Sequence, residues 1–398
     1  MSINKDLKLE QDSALHICID IRSLETGSKY RGYGYYVRNL ASNVIKIDKT
    51  NNYSFIVYGK ENPLYEDLEK NGFKIFEMAK PRIKPRMWWL WDQLKLPALI
   101  KKINPSVFVS LDANLPLAIT FFKTIKTVVA VHDLIPLVLK DEYRLPLDRK
   151  IDFNLKILAA KRADAVLTIS KFSKQDIVEH LKIPANKVKY IYESTDKIFS
   201  RSPVEETRAL VKKYANGQKY LMTVGHYYGS DPRKNYLFLL EGFTNLISRQ
   251  GRDDLILLLV GQSGGSGNEY SRITAKAKEL GVSEKVVFTD FVSDKDLAGL
   301  YSGSEVFVYP TKYEGFGLPI LQAMSCGCPV VAANNTSIPE VAGSAAELFE
   351  TNDQQSFLVA ILKVLNHQKD YQLLGYENIK RFSWENAAAE FVEFMDSF

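Results

Sequence analysis

The chain has 398 residues, 46% of them hydrophobic and 25% charged, with a net charge of +5. That is the make-up of a globular protein large enough for two or three domains, and no run approaches the roughly 18 consecutive apolar residues of a bilayer span, which excludes a transmembrane protein. Residues 1–200 carry 33 Lys and Arg against 23 Asp and Glu, and the remainder 19 against 24, a split that argues against a nucleic-acid-binding protein and leaves the amino-terminal half suited to an anionic surface or acceptor.

The opening MSINKDLKLEQDSAL lacks the apolar core of a secretory leader, which predicts a cytoplasmic chain. The run LHICIDI predicts a first strand, followed by a helix from about Tyr33 to Ile47. YSFIVYG, VFVSL and TVVAVHD predict further strands, and a helix over roughly 148–162 precedes the strand AVLTIS. From Asp196 to about Tyr214 the chain is polar and unpatterned, and then a second series begins. It comprises KYLMTVG, a helix from Asn235 to Arg249, LILLLVG, KVVFTDF, VFVYP, a helix near 318–326, and PVVAA. The closing FSWENAAAEFVEFMDSF reads as one more amphipathic helix.

Short strands without polar alternation are buried on both faces, as in a parallel sheet flanked by helices. The expected fold class is therefore α/β, with two doubly wound, Rossmann-like parallel-sheet domains facing a cleft. Their expected bounds are residues 1–200 and 201–380, with a helix over 381–398 packing back toward the first domain. Cys18, Cys326 and Cys328 make no disulfide framework, and C-G-C without a second Cys/His cluster makes a poor zinc site, so buried thiols are expected.

In such sheets ligands bind beyond the carboxyl ends of the strands, and the unusual residues fall there. Gly32 and Gly34 precede the first helix, where glycines let backbone N–H groups approach a phosphate, or else form a flexible turn. The pattern is not G-x-G-x-x-G, which disfavours a dinucleotide fold. His132 ends the strand TVVAV, placed to donate to a substrate hydroxyl or to serve as a structural histidine. After Gly225, Arg233 and Lys234 occupy the first predicted helical turn, where two cations oppose the helix dipole unless an anion sits there. Together they offer a bidentate fork and a point charge, enough for a diphosphate without a metal. Glu314 lies in a Gly-Phe-Gly loop, and Gln322 follows on the helix begun near Pro319, placing both at one helix amino terminus. A carboxylate there accepts from sugar or ribose hydroxyls while Gly315 and Gly317 open backbone amides to a phosphate; otherwise Glu314 is a helix-start acid. Asp294-Lys295-Asp296 has metal-site spacing but reads as a helix start capped by Ser293, and GQSGGSG reads as a mobile loop.

These residues together resemble a retaining glycosyltransferase of family 4 with the GT-B fold. The resemblance rests on Y-E-G-F-G-L-P-x-L-Q-A-M-x-C-G-x-P-V-V-A at 313–332, P-R-K-N at 232–235, V-H-D-L-I-P-L at 131–137, R-G-Y-G-Y-Y at 31–36 and S-K-F-S-K-Q-D-I at 170–177. The last two motifs are similar to those of bacterial mannosyltransferase-like enzymes of polysaccharide and O-antigen assembly. The resemblance implies a nucleotide-diphosphate sugar as donor and a glycan or lipid-linked glycan as acceptor. It further implies an acceptor-side first domain, no metal or other cofactor, and a front-face mechanism.

As catalytic residues the resemblance implies His132, Glu314, Arg233 and Lys234. As nucleotide-sugar contacts it implies Gly32, Gly34, Gly225, Arg233, Lys234, Gly315, Phe316, Gly317, Leu318 and Gln322. Gln322 stands where the family has a second Glu, and a neutral acceptor lacks the charge-assisted bond. His226 stands where many relatives carry Arg, and Glu193-Ser194-Thr195-Asp196 replaces a frequent N-G-V-D. Two other readings are a non-catalytic sugar-nucleotide-binding partner subunit and a GT-B epimerase. Finally, KPRIKPRMWWLWDQLKLPALIKK interleaves cations with Trp88, Trp89 and Trp91, a pattern for docking the rings at lipid headgroup level or for ordinary packing.

Overall fold

The apolar runs become strands whose side chains are buried on both faces, as expected for sheets covered by helices. A computed structural model describes residues 14–27, 32–143, 145–227, 231–263 and 269–398. Its strands are β1 (His16–Asp20), β2 (Asn52–Val57), β3 (Lys74–Glu77), β4 (Val107–Ser110), β5 (Lys126–Ala130), β6 (Ala165–Thr168), β7 (Val188–Tyr190), β8 (Lys219–Val224), β9 (Leu255–Val260), β10 (Val286–Phe288), β11 (Val306–Tyr309), β12 (Val330–Ala333) and β13 (Ala346–Phe349). One sheet runs β3-β2-β1-β4-β5-β6-β7 and the other β10-β9-β8-β11-β12-β13. The second is parallel throughout, and the first pairs parallel from β3 to β6. Both follow the doubly wound order, in which the strand sequence reverses between the first strand and the fourth. The reversal lies between β1 and β4 in one sheet and between β8 and β11 in the other.

The chain divides into two compact units. One holds the described residues up to Val131 with Pro146–Leu167 and Ala388–Phe398; the other holds His132–Leu145 and Thr168–Ala387. A helix and three short strands are among the elements that the sequence reading does not anticipate. The stretch taken as unpatterned contains the helix Val204–Ala215, with Glu205 and Glu206 in its first turn and Lys212 and Lys213 in its last, charges that suit the helix dipole. The short strands β3, β7 and β13 were also not anticipated, since three or four residues carry too little periodicity to register. Ser293 does cap the helix Asp294–Gly303, accepting from the N–H of Asp296. All three cysteines are free and buried. GQSGGSG extends into residues outside those described. Among the described residues no helix is long and apolar enough to cross a membrane.

The tryptophan segment forms the helix Trp88–Ile103. Its tryptophans are half-buried: Trp88 Nε1 donates to the Ile83 carbonyl at 3.0 Å, and the indole nitrogens of Trp89 and Trp91 are buried. The exposed apolar side chains here are instead Ile83, Met87 and Leu94.

The first reversal point holds a buried ionic cluster. Arg22, 2% exposed, donates from Nε and Nη2 to Asp20 at 2.9 and 2.6 Å and from Nη1 to Asp92 at 2.5 Å. Asn114 donates to the other Asp92 oxygen. Beside them Asp112 accepts from Ser110 Oγ and the Asn114 N–H. Burial, with the nearby Asp20 charge, pushes Asp112 up to about 6. A group raised in the folded state stabilises most below its unfolded value near ~3.9, and that contribution is lost as pH rises through about 6. Asp112→Asn keeps the accepting oxygen and removes the charge. It is expected to raise stability at pH 8 by about 1–2 kcal/mol and to leave it unchanged at pH 4. Urea melts at both pH values check this, and an identical pH dependence in the two proteins would refute it.

Candidate active site

The second reversal point brings the segments after β8 and β11 side by side. Gly225 donates to the Val260 carbonyl at the end of β9, and its backbone leaves no room for a side chain. A Cβ there would lie 1.7 Å from the Tyr236 hydroxyl, and one on Gly261 would lie 1.8 Å from the Gly225 carbonyl. Close packing therefore requires this glycine.

Arg233 and Lys234 do not sit in the first turn of the long helix. They belong to a separate 3-10 turn, Pro232–Lys234, which Asn235 ends in the left-handed conformation at φ 59° before the helix Tyr236–Gln250 begins. The anion that two adjacent cations call for is Glu314. Its Oε1 accepts from Arg233 Nη1 at 2.5 Å, Lys234 Nζ at 2.8 Å and Thr311 Oγ1 at 3.0 Å. Arg233 Nε also faces Asp231 at 3.2 Å, and Asp231 in turn accepts from the Tyr143 hydroxyl. Burial alone would raise the Glu314 carboxyl, but the Arg233 and Lys234 charges hold it at about 2. Burial, then the charge of Arg233, push the Lys234 ammonium below its usual range.

Two cations are thus matched by two carboxylates, Glu314 and Asp231. Donors nevertheless remain: among the described residues Arg233 Nη2 makes no hydrogen bond, and neither do the N–H groups of Gly315, Phe316, Gly317 and Leu318. Gly317, at φ 108°, precedes the helix Leu318–Ser325, so these amides stand at its positive end. The Phe316 side chain is buried against Tyr192 and Phe382, which leaves only its backbone for a ligand. Gln322 is the fifth residue of that helix, in its second turn, and so lies one turn in from the amino terminus at which the sequence placed it.

His132, 4% exposed, follows β5 and meets the Glu314 loop through its backbone. A Cβ on Gly315 would lie 2.6 Å from the His132 carbonyl. The Gly315 carbonyl is fixed by Ser170 Oγ at 2.7 Å and Ser173 Oγ at 2.9 Å. The S-K-F-S motif therefore acts as a clip for the Glu314 loop. Ser337 Oγ adds bonds to the Glu314 and Phe316 carbonyls.

His132 and Gly225 follow strand ends and Glu314 lies in the loop after β11, as the sequence reading has them, while Arg233 and Lys234 lie in the 3-10 turn; all five belong to one unit. Gly32 and Gly34 belong to the other unit, inside the first turn of the helix Gly32–Ile47 instead of ahead of it, and residues 28–31 lie outside those described. Reading missed Thr311, Asp231, Ser170 and Ser173, because isolated small or acidic residues after strands carry no distinctive spacing. Among the described residues no cluster of three or more His, Cys, Asp or Glu is arranged to hold a metal ion.

Glu314 stabilises the folded chain when ionised. Its depressed value means that this contribution is present above about pH 4.5 and is lost as pH falls toward 2. Glu314→Gln is expected to remove that acid sensitivity and to cost about 3 kcal/mol at pH 7, since two buried cations lose their partner. Calorimetric or urea unfolding across pH 2–7 measures both, and unchanged stability at pH 7 would overturn the pairing.

Residues 30–197 match the family model "Glycosyltransferase Family 4", and residues 208–381 match "Glycosyl transferases group 1". The serotype-specific mannosyltransferase WbdA of Escherichia coli is 27% identical over 95% of this chain and 48% of its own length. The O-antigen chain mannosyltransferase B of Escherichia coli is 34% identical over 58% of this chain and 60% of its own. The chain thus spans about half the length of the first and three fifths of the second. Anabaena Alr3699/HepE, solved in complex with UDP and glucose, superimposes with a TM-score of 0.72 at 16% identity, over 96% of this chain and 100% of that one, a likeness of fold.

Proposed function

We propose, for a chain that carries both domains of a GT-B glycosyltransferase, transfer of a sugar from a nucleotide diphosphate to a glycan or lipid-linked glycan acceptor. Mannose is the proposed sugar, in line with the mannosyltransferases it resembles, and the anomeric configuration is retained. The observation that carries the reading is the second reversal point, where Arg233 and Lys234 stand beside four unengaged N–H groups at a helix amino terminus.

Departure of a nucleoside diphosphate places negative charge on phosphate oxygens, and preorganised donors lower that barrier. The remaining Arg233 and Lys234 donors and the amides of 315–318 would take the diphosphate. Three donors crowd Oε1 of Glu314 and the Tyr309 hydroxyl also bonds its carboxyl; the capacity that remains would accept from hydroxyls of the transferred sugar. His132 would contact that sugar, and Gln322 the ribose as a neutral acceptor. Among the described residues no side chain is arranged as a separate nucleophile, which favours a front-face route in which a departing phosphate oxygen takes the acceptor's proton. The roles of Gly32 and Gly34 rest on the motif alone.

With fixed cations in place, the proposed transfer needs no added metal. Incubation with GDP-mannose or UDP-glucose and an oligomannoside acceptor in EDTA is expected to release nucleotide in step with sugar transferred. Lys234→Ala should lower kcat about a hundredfold, on the scale of one lost oxyanion donor. Release without an acceptor and without transfer would indicate an epimerase or hydrolase, binding without release a partner subunit, and full activity of Lys234→Ala would remove it from the site.

A peripheral contact with an anionic lipid surface is proposed for the first unit. Exposed Lys80, Arg82 and Lys84 surround the exposed Ile83, with Met87 and Leu94 nearby, a basic and apolar patch complementary to anionic headgroups. Replacing these three cations with Ser is expected to abolish sedimentation with phosphatidylglycerol vesicles at low salt while nucleotide release persists. Sedimentation that is unaltered, or absent in the unmodified protein, would end this proposal.

A further inference from the structure

Thr336 stands half-buried in the segment that follows β12, with its φ at 49°. Left-handed backbone suits glycine, and asparagine or aspartate less well, but in a β-branched residue it is a strained outlier. Among the described non-glycine residues with positive φ, Thr336 is the one that is β-branched. Strain of this kind persists only where the surrounding bonds over-determine the conformation. What threonine supplies here and glycine would not is a hydroxyl.

That hydroxyl is engaged as both acceptor and donor. Thr336 Oγ1 accepts the Glu314 N–H at 3.2 Å and donates its own proton to Asn335 Oδ1 at 3.0 Å. Asn335 Nδ2 donates to the Thr311 carbonyl at 2.8 Å and to Thr351 Oγ1 at 2.7 Å, and Thr311 Oγ1 in turn donates to Glu314 Oε1. Ser337 Oγ donates to the Glu314 carbonyl at 2.9 Å. Because β12 pairs parallel with β11, Tyr309 beside Ala332, the segments beyond their carboxyl ends run side by side. Asn335, Thr336 and Ser337 each fix a different point of the loop that carries Glu314. The two peptide groups that flank the Glu314 Cα are both pinned, the N–H by Thr336 and the carbonyl by Ser337. Peptide groups are planar, so pinning both sets φ and ψ of Glu314 and the direction in which its side chain leaves the backbone.

We propose that Thr336 is a positioning residue for Glu314: its hydroxyl, held by a strained left-handed backbone, aims the Glu314 carboxylate at Arg233, Lys234 and the bound sugar nucleotide. The identity of that ligand rests on the function proposed above. Thr336 acts through the Glu314 backbone and not on the reacting groups. Strain and position are therefore coupled with opposite signs. Glycine at this position releases the left-handed strain and at the same time removes the bond to Glu314. Stability is then kept or raised while the reaction slows, whereas a residue that serves the fold alone would, on its loss, lower both.

Three variants of the full chain separate backbone from hydroxyl. Thr336→Gly loses both the strain and the hydroxyl, Thr336→Val keeps the β-branch without the hydroxyl, and Thr336→Ser keeps the hydroxyl without the second branch. Amide hydrogen exchange at Glu314 is expected to be about tenfold faster in the glycine and valine variants, the scale of one lost hydrogen bond, and within about twofold of the unmodified protein in the serine variant. Thermal unfolding should place the glycine variant at or above the unmodified protein and the valine variant below it. With GDP-mannose and an oligomannoside acceptor, kcat should fall about tenfold in the glycine and valine variants and return to within about twofold in the serine variant. Donor KM should change less than about twofold, because Ser170, Ser173 and Ser337 still hold the Gly315 and Phe316 carbonyls. Unaltered exchange at Glu314 in the glycine and valine variants, a glycine variant as fast as the unmodified protein, or one that melts as low as the valine variant overturns the proposal. Since exchange and melting need no substrate, a chain with the expected exchange and melting pattern and no nucleotide release overturns the transferase reading alone.

Discussion

One carboxylate organises the second unit. Without Glu314, Arg233 and Lys234 would be two adjacent buried cations, an arrangement that repulsion and lost hydration both oppose. With it, the turn after β8 is tied to the loop after β11, and the tie is extended by the Lys312 N–H donating to the Arg233 carbonyl at 2.7 Å. The loop so fixed is the one that sets four N–H groups at the start of the helix Leu318–Ser325. Charge pairing thus shapes the backbone that a phosphate group would meet.

The two reversal points invite comparison because each holds an arginine after a first strand and an acid after the fourth. They differ in charge balance and in access. In the first unit Arg22 faces Asp20 and Asp92 with Asp112 nearby, so carboxylates outnumber the cation, and the Arg22 and Asp20 side chains are 3% exposed. Such a closed cluster contributes to structure and offers nothing to a ligand. In the second unit the Arg233, Lys234 and Glu314 side chains are 12–15% exposed, cations and acids are equal in number, and donors are left over. Reachable donors without excess negative charge are what a diphosphate requires.

Glycine carries a related lesson. Gly225 and Gly315 stand where phosphate-binding glycines stand in other nucleotide sites, but the atoms that demand them are the Tyr236 hydroxyl and the His132 carbonyl. Close approach of protein to protein, and not of protein to ligand, excludes a side chain there. Gly317 alone of the group is required by its backbone angle. The Ser170 and Ser173 hydroxyls acquire meaning from the same packing, since they fix the carbonyl of a glycine that has nothing else to restrain it.

The alternation of apolar runs with helical patterns was enough, by itself, to determine two parallel-sheet domains and to place His132 and Glu314 in the segments that follow strands. Burial on both sheet faces leaves a period and a composition that any reader of the chain can see. Hydropathy and spacing say nothing, however, about which strand ends become neighbours. The strand order brought β8 beside β11 and so converted two motifs 80 residues apart into one ion pair. The same long-range packing set Glu193 against His132. Contacts of this kind depend on the path of the whole chain, and a single acid among 47 acidic residues gains its character only from the atoms that exclude water around it.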